Sequence, residues 1–139
     1  MARTTFNGPV VSQNGFIDGH QLTAANAINS TATATAAQVA SGYITSTSAS
    51  PTTITLPTGT ALGNALNASQ GTVLDLYIDN SAGASTVTVA VNTNAVLSTA
   101  AVDTAASFGD LTIAAGATGI ARYTLMFSSA TAYTFTRTA

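Results

Sequence analysis

Large apolar residues return at every second position along several short stretches of the C-terminal half. In Val73–Asp79, Leu74, Leu76 and Ile78 share one face, and Asp75, Tyr77 and Asp79 share the other. That alternation is the pattern of a half-buried antiparallel strand. Asn80-Ser81-Ala82-Gly83-Ala84 has turn chemistry. Thr86–Val91 then alternates again, with Val87, Val89 and Val91 expected inward. The two stretches together predict a hairpin with a loop of roughly five residues. Further on, Ile120–Ser128 sets Tyr123, Leu125 and Phe127 against Arg122, Thr124 and Met126. Ser128–Ala132 turns the chain into a last strand, Tyr133–Arg137. Val96-Leu97 and Leu111–Ile113 read as short strands, 98–107 as a loop of small polar residues, and Ala114–Gly119 as a glycine turn.

The first half is less periodic. Residues 21–41 are rich in Ala, which favours helix, while Thr31–Ala36 alternates strictly and its β-branched threonines favour a strand. The pattern predicts a strand over 31–36, followed by one helical turn at 37–40 closed by Gly42. Tyr43–Thr45 and Thr52–Leu56 read as short strands. Leu62 and Leu66, four residues apart behind a capping Thr, predict a short helix at 60–67.

The sum is a mainly β chain: a single-domain antiparallel β-sandwich or open barrel of seven or eight short strands with one short helix. The expected organisation is an irregular N-terminal arm over residues 1–20 followed by a β-sandwich domain over 21–139.

Composition changes the functional picture more than the fold. Only 6% of the 139 residues are charged, with no Lys and no Glu. A typical soluble domain has about 25%. The charged side chains are Arg3, Arg122, Arg137, Asp18, Asp75, Asp79, Asp103 and Asp110. A free monomer with such a surface has little charge to keep it from associating, so the composition favours a component of an assembly. Three scattered arginines and a net charge of −2 give no footprint for nucleic acid. No apolar run is long enough to span a membrane, and no apolar core follows Arg3 to make a signal peptide.

The search for chemistry returns little. His20 is the only histidine and the chain has no Cys. A Ser-His-Asp set is recognised by geometry, which sequence does not supply, so His20 reads as a polar loop residue. Asp75 and Asp79 share a strand face but lie about 13 Å apart, too far for one paired-carboxylate site. No spacing matches a calcium loop. Gly59-Thr60-Ala61-Leu62-Gly63 lacks the Lys-Ser/Thr pair of a phosphate loop. No catalytic, cofactor or metal site is expected. Tyr77, outward beside two aspartates, is the best exposed interface aromatic.

Three strings, TATATAAQVASGYITSTSASPTTITLPTGTALGNAL (31–66), GTVLDLYIDNSAGASTVTVAV (71–91) and LTIAAGATGIARYTLMFSSATAYTFTR (111–137), carry a family likeness. Their order resembles the small β-rich virion proteins of tailed bacteriophages, in particular capsid decoration (cement) proteins. The resemblance implies a non-enzymatic protein, made in the host cytoplasm, that binds the outer surface of a major capsid protein lattice, commonly as a homotrimer, and stiffens the shell. A phage tail, fibre or head-fibre base protein is the alternative, and a carbohydrate-binding β-sandwich module a further one.

The lead FNGPVVSQNGF (6–16) fits that implication. Gly8-Pro9 keeps it extended, and Asn14-Gly15 is a turn signal. Phe6, Val10, Val11 and Phe16 are expected to dock on a partner, with Gly8 and Pro9 shaping the arm. The competing expectation is an edge strand or lid on the chain's own sandwich.

Overall fold

The computed structural model describes residues 26–97 and 111–139. The expected arm at 1–20 and loop at 98–107 lie outside the described residues. In chain order the elements are β1 (Ala32–Thr33), α1 (Ala36–Ala40), β2 (Tyr43–Thr45), β3 (Thr52–Thr55), α2 (Gly59–Leu66), β4 (Val73–Asp79), β5 (Val87–Ala90), β6 (Ala95–Leu97), β7 (Thr112–Ile113), β8 (Ile120–Ser129) and β9 (Ala132–Arg137). The chain is mainly β, as its periodicity predicts. Among the described residues it has nine strands and two helices, against the expected seven or eight and one.

The strands form two sheets, one ordered β1-β3-β5-β7 and the other β2-β4-β8-β9-β6. Successive strands from β1 to β8 alternate between them, so the strands from β1 to β5, and β7, each find a sheet neighbour two strands away rather than next in sequence. This zigzag corrects the expectation of an all-antiparallel sandwich. β1–β3, β3–β5, β2–β4 and β6–β9 pair in parallel, while β4–β8, β5–β7 and β8–β9 pair antiparallel. The early returns, β1 to β3, β2 to β4 and β3 to β5, keep the strand direction, whereas β5 to β7 and β4 to β8 reverse it. Among the described strands, β8–β9 alone are consecutive and paired.

The zigzag also overturns the expected hairpin of 73–79 with 86–91. β4 lies in the five-stranded sheet and β5 in the four-stranded one. Residues 80–86 are an arch between sheets, and Asn80 holds it. Its side chain is fully buried. Its Nδ2 donates to the Ser85 carbonyl at 2.9 Å, to that of Ala114 at 2.9 Å and to that of Ile113 at 3.4 Å. Its backbone N–H donates to the Gly119 carbonyl. Turn residues look alike whether the chain doubles back within a sheet or crosses to the next. Val91, expected inward, is half exposed because β5 ends at Ala90.

The strand expected at 31–36 shrinks to two residues for a local reason. Thr35 caps α1: its hydroxyl accepts from the Gln38 N–H, and the Gln38 side chain accepts from the Thr35 N–H. This reciprocal pair ends the strand and starts the helix. α2 matches the expected helix, shifted by one residue, with Thr58 rather than Thr60 as its cap. Gly59 and Gly63 sit one helical turn apart against the β8–β9 turn. A Cβ at Gly59 would overlap the Thr131 carbonyl, and one at Gly63 the Ala130 carbonyl.

One core lies between the sheets. Ile54, Val87, Val89 and Ile113 face Ile44, Leu76, Ile78, Leu125 and Phe127, with Val39 and Leu62 from the helices. The β8–β9 hairpin adds two aromatic pairs: Tyr123–Phe135 edge-on at 6.2 Å and Phe127–Tyr133 at 5.3 Å. Tyr133 donates its buried hydroxyl to the Pro57 carbonyl at 2.8 Å, and burial pushes its pKa well up.

Two substitutions test this account by chemical denaturation. Gly63→Ala should lower stability by about 2 kcal/mol through overpacking against the hairpin turn. Asn80→Ala should cost about 3 kcal/mol, because it leaves buried carbonyls unpaired. Asn80→Asp should not rescue it, since a carboxylate has no N–H to give them.

Candidate interaction surface

The outer face of the five-stranded sheet carries most of the exposed apolar bulk of the described residues. Directly opposed residues on paired strands point to the same side, so the register fixes its rows. The first row is Val73, Met126, Thr134 and Val96, running across β4, β8, β9 and β6. The second is Asp75, Thr124 and Thr136. The third is Tyr43, Tyr77 and Arg122, and the fourth is Thr45, Asp79 and Ile120. Of the seven large hydrophobic side chains exposed among the described residues, Tyr43, Val73, Tyr77, Val96, Ile120 and Met126 lie on this one face, and only Val91 lies elsewhere. Val73 is 57% exposed, and Met126 and Val96 are 56% exposed.

The opposite sheet gives the contrast. Its outward positions are Thr33, Thr55, Thr53, Thr88 and Thr112, with Ala90 beside Thr55. Threonine suits a strand and offers water a hydroxyl at each position. The four-stranded sheet's outer face carries hydroxyls and no charge, whereas that of the five-stranded sheet carries the exposed apolar groups together with Asp75, Asp79 and Arg122.

The polar groups of the apolar face are tied to one another. The Tyr43 hydroxyl donates to Asp79 Oδ2 at 2.7 Å, and the Ser81 N–H donates to Asp79 Oδ1 at 2.9 Å. Thr124 Oγ1 donates to Asp75 Oδ1 at 2.6 Å, and Arg122 Nε donates to Thr138 Oγ1 at 2.9 Å. The hydrogen bonds from Ser81, with that from Tyr43, hold the Asp79 carboxyl below its ordinary range. The same contact with Asp79 raises the Tyr43 hydroxyl above its own.

Tyr77 stands where the sequence places it, 40% exposed at the centre of the face, beside Tyr43 and Arg122. Phe6, Gly8, Pro9, Val10, Val11 and Phe16 lie outside the described residues, as do Asp18, His20, Asp103 and Asp110. Sequence reasoning missed Val73, Val96, Ile120, Met126 and Tyr43 as surface groups. The available signal was an apolar residue at an outward position of an alternating strand, as at Met126. Among the described residues, no three His, Cys, Asp or Glu side chains gather as a metal site would require. No helix there is long and apolar enough to cross a membrane. Comparison with known proteins finds no matching family model, no matching curated protein and no matching solved structure.

The Tyr43–Asp79 contact sets a pH window. Asp79 is depressed on folding, so its contribution is present above the unfolded carboxyl pKa of about 4 and is lost as pH falls through the folded value. Tyr43 is raised, so its contribution is present below about pH 10 and is lost as pH rises through the folded value. Thermal midpoints of Asp79→Asn should show a smaller decline on the acid side than those of the parent chain. An unchanged acid limb would show that the contact contributes nothing.

Proposed function

We propose that this chain is a non-enzymatic virion structural protein of a tailed bacteriophage, a capsid decoration protein that binds the outside of the shell and bridges capsomers. The observation that carries the reading is the apolar outer sheet face, on a chain with only eight charged side chains. An exposed apolar patch of this kind marks a surface made to be covered. The order of segments, which resembles decoration proteins, gives the class of partner: the major capsid protein and other copies of this chain.

Bridging works by mass action. A protein that contacts two neighbouring capsomers binds the assembled lattice and not the separate subunits. Its binding free energy therefore adds to the stability of the shell. Repeated contacts around an oligomer strengthen this through effective concentration without any new chemistry. Nothing in the mechanism needs a nucleophile, a metal or a cofactor. The protein would act on the capsid exterior after synthesis in the host cytoplasm.

Empty capsids assembled from the major capsid protein of the same genome provide the test. The purified chain should sediment with them at a stoichiometry of hundreds of copies per particle and raise their dissociation temperature. A chain that stays in the supernatant sinks the reading. A few copies per particle would point instead to a tail or fibre position.

A further inference from the structure

We propose that the outer face of the five-stranded sheet is occupied by the N-terminal lead, residues 6–16, of a second copy of this chain, so that copies are linked by exchanged arms. The inference rests on the assembly reading above and names the partner of that face.

Four observations carry it. First, the face holds six of the seven large hydrophobic side chains exposed among the described residues, and its first row, Val73–Met126–Thr134–Val96, crosses four strands. Three strand spacings make that row about 14 Å long. Second, the chain's other concentration of apolar groups without a known site is the lead itself. In an extended chain Phe6 and Val10 share a face about 13 Å apart, a length that matches the row.

Third, the point where the lead joins the domain is fixed. Asn26 Nδ2 donates to the Gln38 carbonyl, to Ser41 Oγ and to the Tyr43 carbonyl at 2.9, 2.9 and 2.7 Å. Ala27 bridges Thr45 in parallel, beside β2 at the sheet edge. The Thr45 N–H donates to the Asn26 carbonyl, and the Ile28 N–H to the Thr45 carbonyl. The chain therefore joins in the plane of the sheet and along the strand direction. Read backwards from Ala27 to Asn26, it points toward the sheet end that carries Val73. Fourth, residues 1–25 can span up to about 80 Å when extended. Covering the chain's own sheet, about 19 Å wide, needs only a small part of that length.

Apolar burial supplies the attraction, and the charged groups of the face, Asp75, Asp79 and Arg122, already have hydrogen-bond partners. Phe6 and Phe16 are the anchors, and Met126 and Val73 the floor that receives them.

Light scattering of the full chain without capsids should give a closed oligomer. Met126→Asp, an exposed change on the row, should leave the circular dichroism spectrum intact and give a single-chain mass. Deletion of residues 2–20 should do the same. The chain has no Cys, so the double variant Phe6→Cys, Met126→Cys is a clean probe, and oxidation should join different chains. A monomeric full chain, a Met126→Asp oligomer of parental mass, or a crosslink within one chain would each overturn the inference. Capsid binding is read separately. A monomer that still coats capsids refutes the exchanged arm and spares the function, and an oligomer that ignores them does the reverse.

Discussion

The fold depends on the crossing at Asn80. There the chain leaves the five-stranded sheet for the four-stranded one, and one amide group donates both to the arch it begins and to the end of β7. Buried amides are costly unless bonded, so the arch is specified by where its hydrogen bonds can be made. Because every strand from β1 to β8 switches sheets, neither sheet can be completed alone. The sheets and the core between them are therefore one cooperative unit. Pairing between strands two apart also raises the sequence separation of contacts, which carries a loop-closure cost that local hairpins avoid. β8–β9, with its two aromatic pairs, is the local exception.

That topology explains which parts of the fold were legible. Alternation reports which side of a strand is buried, and it did so for Leu76 and Ile78 and for Tyr123, Leu125 and Phe127. It does not report which sheet the strand joins, so β4 and β5 read as a hairpin. Strand direction was illegible for the same reason, since parallel partners come from two or three strands away. At 31–36 the threonine alternation misled because the Thr35–Gln38 capping pair outweighed strand propensity. That pair was visible in the sequence. The spacing of Gly59 and Gly63 was visible too, but its cause, the close approach of the hairpin turn, exists only in three dimensions.

The interaction surface was legible only at Tyr77. Val73, Met126 and Val96 are single exposed apolar residues on three separate strands, and single ones are ordinary. Register turns them into a row. A surface patch is a property of pairing across strands, and no reading along one strand can reveal it.

The polar groups on the same face bear on how a partner is recognised. Asp79 is engaged by Tyr43 and Ser81, Asp75 by Thr124, and Arg122 by Thr138. A partner seated on the apolar row need not supply counter-charges, because these groups already have partners. Affinity then comes from apolar area and fit rather than from long-range attraction, and it should depend weakly on ionic strength. This is the surface expected of a contact made once and held, between partners already brought together in an assembly. It differs from one that must steer a free ligand from a distance.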